Sequence, residues 1–146
     1  MFPQHLGTYI KNELGLAPIS ITAGDGEDGA QEGPAVNRLD FYSAVVGVPV
    51  TSTLAEGETA TIEAEVQDSA DGSTGWKDHG DAAEELVLTG DTGGSTETGI
   101  VELDVDLKAA KKYVRAVVTV TLSASETDTA GFAAIVALGG SVEKPV

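Results

Sequence analysis

Two stretches of strict alternation between apolar and polar residues narrow the fold of this chain more than any other feature. Ala60, Ile62, Ala64 and Val66 alternate with Thr61, Glu63, Glu65 and Gln67; Val101, Leu103, Val105 and Leu107 alternate with Glu102, Asp104 and Asp106. Successive side chains of a strand point to opposite faces, so a period of two makes a ribbon with one dry and one wet side. A helix has no use for that period. Tyr113 to Leu122 continues the pattern, with Val114, Ala116, Val118, Val120 and Leu122 on one face and Val117 interrupting the other. Thr129 to Leu138 is apolar on both faces, as expected of a central strand. Val36 to Val50 and Leu86-Val87-Leu88 are further β-rich runs.

Turn residues separate these runs, at Asp68 to Gly75 and at Gly90 to Gly94, and Lys108 to Lys112 predicts one short helical turn. No long amphipathic helix intervenes. The pattern predicts an all-β chain folded as an antiparallel β-sandwich, jelly-roll-like or Ig-like, over residues 36–146. Residues 1–35 read differently. Pro3, Gly7, Gly15, Pro18, Gly24, Gly26, Gly29, Gly33 and Pro34 break every long period, and Ile19 to Thr22 alone reads as a strand. The expectation there is an extended N-terminal arm that becomes ordered on a neighbour.

At 146 residues the chain suits one domain, able to bury roughly 68–70% of the surface its unfolded form exposes. It has no cysteine, which excludes disulfides, thiolate metal sites and a cysteine nucleophile. Its 24 acidic residues against 8 basic ones give a net charge of −16. Phosphate backbones and anionic membranes would repel such a surface, so neither nucleic acid nor a membrane is an expected partner. In a particle filled with DNA the chain would belong outside the shell; acidity that merely confers solubility is the plainer alternative. The start of the chain lacks a basic, then apolar, signal pattern, and the longest apolar stretch, Ala130 to Gly140, falls short of a bilayer span. A soluble product of the cytoplasm is the expectation.

The motifs that might carry chemistry are weak. Gly24-Asp25-Gly26-Glu27-Asp28-Gly29 matches G-x-G-x-x-G, but its carboxylates would repel a pyrophosphate and no helical pattern follows. That loop and Asp68 to Asp71 lack calcium-loop spacing, so both read as solvated turns and no metal or cofactor is expected. Lys77-Asp78-His79-Gly80-Asp81 offers a His–Asp pair without a nucleophile elbow, which makes an enzyme the weakest reading. Trp76 reads as a packing anchor, or as one member of a sugar-stacking platform with Tyr42 and Tyr113. Lys108, Lys111, Lys112 and Arg115 supply half of the cations, available either to an acidic partner or to carboxylates of the same molecule such as Asp104 and Asp106.

Gly99-Ile100-Val101-Glu102-Leu103-Asp104-Val105-Asp106-Leu107, followed by Lys108-Ala109-Ala110-Lys111-Lys112-Tyr113-Val114-Arg115-Ala116, resembles a stretch found in small proteins encoded beside the major capsid gene of tailed phages. Arg38 to Phe41, Asp68 to Gly72, Leu122 to Ala124, Thr127 to Ala130 and Leu138 to Gly140 extend the resemblance across residues 36–146. It implies a head decoration, or cement, protein that sits on the exterior of the virion head, binds the major capsid protein and forms a homo-oligomer, a trimer or else a dimer. The gripping residues expected under that reading lie in the arm: Phe2, Leu6, Tyr9, Ile10, Leu14 and Leu16. The rival reading is a carbohydrate-binding β-sandwich module on a virion or tail.

Overall fold

In the computed structural model, the described residues are 6–24, 29–80, 83–124 and 127–141. A 3-10 turn at Leu6–Thr8 leads into ten strands: β1 (Lys11–Thr22), β2 (Gly29–Glu32), β3 (Val36–Asn37), β4 (Ser43–Leu54), β5 (Thr59–Ser69), β6 (Lys77–Asp78), β7 (Glu84–Thr89), β8 (Ser95–Asp106), β9 (Tyr113–Leu122) and β10 (Thr129–Gly139). They form two antiparallel sheets. The first has the order β1-β10-β4-β8; in the second β9 pairs with β5, β2 and β3 both pair with β9, and β6 and β7 both pair with β5.

Taking β2 with β3 and β6 with β7 as single interrupted strands, the pairing is nested. The first strand pairs with the last (β1 with β10), the second with the seventh (β2 and β3 with β9), the third with the sixth (β4 with β8), and the fourth with the fifth (β5 with β6 and β7). One long hairpin rolled over on itself gives that order, which is the jelly roll. Of the two sandwich types expected from the sequence, the jelly roll is the one present.

The alternation read in the sequence is what closes the sandwich. Ala44, Val46, Val48, Val50 and Leu54 of β4, Ile62 and Val66 of β5, Val101 and Leu103 of β8, Val118 and Val120 of β9, and Phe132, Val136 and Leu138 of β10 turn inward and are buried together. The inner face is rich in alanine, at 60, 64, 116, 130 and 134, so few aromatic rings are needed to fill it. Ser52 is a polar residue of this face, and its Oγ donates to the Thr129 carbonyl at 2.8 Å.

One expectation needs correction. The segment read as irregular arm carries a twelve-residue strand: β1 pairs with β10 from Lys11↔Leu138 to Thr22↔Thr129 and sends Leu16 and Ile21 into the core. Its register shifts between Leu14 and Leu16 and again between Leu16 and Ile19, so each bulge resets the period of two. Pro18 sits in the second shift on an edge strand, where a missing N–H costs no ladder bond. Near 108–112 there is a single turn, closed by Ala110 N–H to the Leu107 carbonyl at 3.0 Å, and the Arg38 guanidinium donates to the carbonyls of Ala110 and Lys111 beneath it.

Candidate interaction face

The outer face of the β1-β10-β4-β8 sheet departs from the rule that the wet side of a strand is polar. Odd-numbered residues of β4 and β10 and even-numbered residues of β8 face outward, and the register aligns them in rows across the sheet. One row reads Asn12, Ala137, Val45, Asp104; the next Leu14, Ile135, Gly47, Glu102; the next brings Ala133, Pro49 and Ile100 together. Leu14 (54% exposed), Ile135 (49%), Ile100 (56%) and Val45 (38%) therefore share one open surface. Four large apolar side chains on the water side of one sheet make a contiguous patch of the kind that marks interaction sites. Gly47 lies at its centre, with Ile100 Cδ1 leaning to 3.9 Å from where a Cβ would stand. At one end the patch deepens into a groove of about 650 Å³ between Ile10, Tyr42, Val45, Val105 and Ala137. Toward the other end the rows turn to hydroxyls, with Thr53 Oγ1 3.2 Å from Thr96 Oγ1.

This face was only half visible in the sequence. The double-sided apolar character of Thr129 to Leu138 was its signal, read as burial on both sides. The strand is central in its sheet, yet among the described residues none covers the side that carries Ile135, which is 49% exposed. Of the residues expected to grip a partner, Leu14 lies on the open face and Ile10 lines the groove. Leu16 belongs to the core at 9% exposure, because the bulge after Leu14 turns it inward. Tyr9 is half-buried, Leu6 opens the 3-10 turn, and Phe2 lies outside the described residues.

The other candidate sites resolve into internal ties. His79 Nε2 lies 2.7 Å from the Asp106 carbonyl, which can only accept, so this nitrogen is the donor of that bond; Nδ1 is 3.5 Å from the Asp68 carboxylate. The sequence paired His79 with its neighbours Asp78 and Asp81; its partner is the distant Asp68, and Asp81 lies outside the described residues. Asp68 also accepts from the Lys111 N–H at 3.1 Å, with Lys111 Nζ at 3.5 Å. These contacts fasten β6, β5 and the turn before β9 to one another.

Trp76 does not form a platform with Tyr42 and Tyr113. Its ring is stacked by the Arg115 guanidinium at 4.5 Å, and Arg115 is held by a bidentate pair to Glu32 at 2.8 and 2.9 Å and by Gln67. Tyr113 packs over Gly72, while Tyr42 lies by the groove of the opposite sheet. Of the clustered cations, Lys111 and Arg115 pair with Asp68 and Glu32 rather than with the Asp104 and Asp106 expected, Lys112 lies over the Tyr113 ring at 5.2 Å, and Lys108 lines the groove beside Asp104 and Asp106. Among the described residues no group of three or more acidic or histidine side chains is placed to hold a metal, and residues 25–28 of the glycine-rich motif lie outside them.

No family model matches the chain, and no curated protein matches it. Solved structures do. The chain overlays a chain of the T13 IBDV viral particle with a TM-score of 0.51 and 13% identity, covering 90% of this chain and 31% of that one. The VP2 subviral particle of infectious bursal disease virus gives 0.49 and 9% over 90% and 32%, and the Gx strain of that virus 0.47 and 11% over 92% and 34%. The chain therefore spans about a third of the length of the chains it resembles. At such low identity the first of these overlays bears on fold alone: an antiparallel β-sandwich of the kind found in a virus particle.

Proposed function

We propose that this protein is a structural component of a virion, bound to the exterior of a phage head and stabilising its shell as a decoration or cement protein. The observation that carries the reading is the uncovered apolar face bearing Leu14, Val45, Ile100 and Ile135 on a chain of net charge −16. A surface of that kind is costly to leave in water, and a shell subunit is the partner to which the tailed-phage resemblance points. The jelly roll supports this at the level of analogy, since it serves in viral capsids, although it also serves in lectins. The Trp76 ring, stacked by an Arg115 guanidinium that is itself ion-paired to Glu32, favours the shell over the sugar. The role would be non-covalent: each copy covers on the order of 800 Å² of shell, and many copies add up across the lattice.

Copy number tests this. Mass spectrometry of gradient-purified particles from the source should find this chain at one copy, or a simple fraction of a copy, per major shell subunit. A handful of copies per particle, or none, would overturn the decoration role.

A further inference from the structure

We infer that the surface covering the β1-β10-β4-β8 face is a heterologous protein surface with an apolar centre and a column of Lys or Arg along one side, and not a second copy of this chain. This rests on the virion reading and specifies its contact. The apolar patch is bordered on the β8 side by Glu102, Asp104 and Asp106, at alternate positions of an edge strand and so roughly 6.8 Å apart. All three are exposed. Among the described residues neither Glu102 nor Asp104 has a side-chain ion pair or hydrogen bond, and Asp106 Oδ1 accepts only the backbone N–H of Lys108, at 2.9 Å. The opposite border is Ile10, just before β1, and Asn12 and Leu14 of β1, none of them charged.

That asymmetry decides between the two occupants. A twofold dimer must place this face on itself. With the axis along the strands, β8 of each copy covers β1 of the other, and three carboxylates lose water against Ile10, Asn12 and Leu14 without gaining a cation. With the axis across the strands, β8 covers β8 and six carboxylates meet, against the two Lys108 ammonium groups that line the same groove. Both arrangements also bring together two chains of charge −16. A partner with two or three cations at about 7 Å spacing, as on alternate residues of a strand, beside an apolar ridge satisfies both halves of the face at once.

The test uses the full chain in two double charge-reversal forms that change the net charge equally. Glu102→Lys with Asp104→Lys alters the border of the face; Glu63→Lys with Glu65→Lys alters the outer side of β5 on the other sheet. Each replaces the wild-type chain in particle production, and copies per shell are counted. Thermal melts of the purified chains establish that both variants fold, and Ile135→Glu serves as a second probe of the face. The expected result is at least about a tenfold loss of occupancy for the Glu102/Asp104 form and for Ile135→Glu, wild-type occupancy for the Glu63/Glu65 form, and a free wild-type chain whose sedimentation Ile135→Glu leaves unchanged. Equal occupancy for the two double variants, or a free wild-type dimer that Ile135→Glu dissociates, would overturn the inference while the virion reading stands. Absence of the wild-type chain from particles would overturn both.

Discussion

Gly33 sits where the backbones of the two sheets meet, and its hydrogen atom has no substitute. A Cβ there would lie 1.7 Å from the Gly15 carbonyl oxygen, while the Gly33 N–H donates to the Ala116 carbonyl at 2.8 Å. Neither neighbour is a side chain that can swing away. Gly33→Ala should cost about 1–3 kcal/mol, read as a lower urea midpoint with an unchanged slope; a wild-type midpoint would show that the two backbones are not in contact. Asp71 works through hydrogen bonds instead. Its Oδ1 accepts from the N–H groups of Ser73 and Thr74 at 2.9 and 2.8 Å, and the Thr74 hydroxyl donates to Oδ2 at 2.7 Å. These donors, the Thr74 hydroxyl first, hold the Asp71 carboxyl well below the usual carboxylate range. A depressed folded-state pKa gives stability that is fully present above the unfolded value near 4 and is lost as pH falls below it. Asp71→Ala should therefore melt below wild type at pH 7, and the gap should narrow as pH drops below about 4. A gap independent of pH would contradict the assignment. The turn itself was legible as Asp68 to Gly75, but nothing in those residues marks Asp68 as buried and Asp71, three residues on, as exposed.

At the scale of elements, legibility tracked regularity. Strands β5, β8 and β9 announce themselves because each keeps one register along its length. Only the end of strand β1, Ile19 to Thr22, was legible, because two bulges and Pro18 scramble the period of the rest. Its place in the fold changes what truncation should do. Removing residues 1–16 takes Leu16 from the core and strips the pairing of β10 from Leu138 to Ala134. That deletion should cost at least about 2 kcal/mol and promote self-association through the newly bared edge of β10. Removing residues 1–10 leaves β1 whole and should change stability far less. Chemical denaturation and light scattering of the two truncated chains separate these outcomes; equal stability would mean that β1 contributes little to the sandwich. The outer face of the first sheet was missed for a different reason. A strand apolar on both sides reads the same whether its second side is covered within the chain or by another molecule.

Over the whole molecule, the nested strand order was beyond reach of the sequence, since alternation says which side of a strand is dry but not which strand lies beside it. The charge was fully legible. With 24 acidic and 8 basic residues, the folded chain repels itself. Its melting temperature should rise as added sodium chloride shortens the Debye length from about 30 Å at 0.01 M to about 8 Å at 0.15 M; a falling midpoint would mean that internal ion pairs such as Arg115–Glu32 outweigh the net repulsion. The same charge and the apolar sheet face converge on one arrangement in an assembled particle: shell on the apolar side, solvent on the other. A cryo-EM reconstruction of gradient-purified particles tests that most directly. Density for this jelly roll is expected on the outer surface of the head, with Leu14, Val45, Ile100 and Ile135 turned toward the shell. Density inside the shell, or an exterior jelly roll with that face open to solvent, would contradict it.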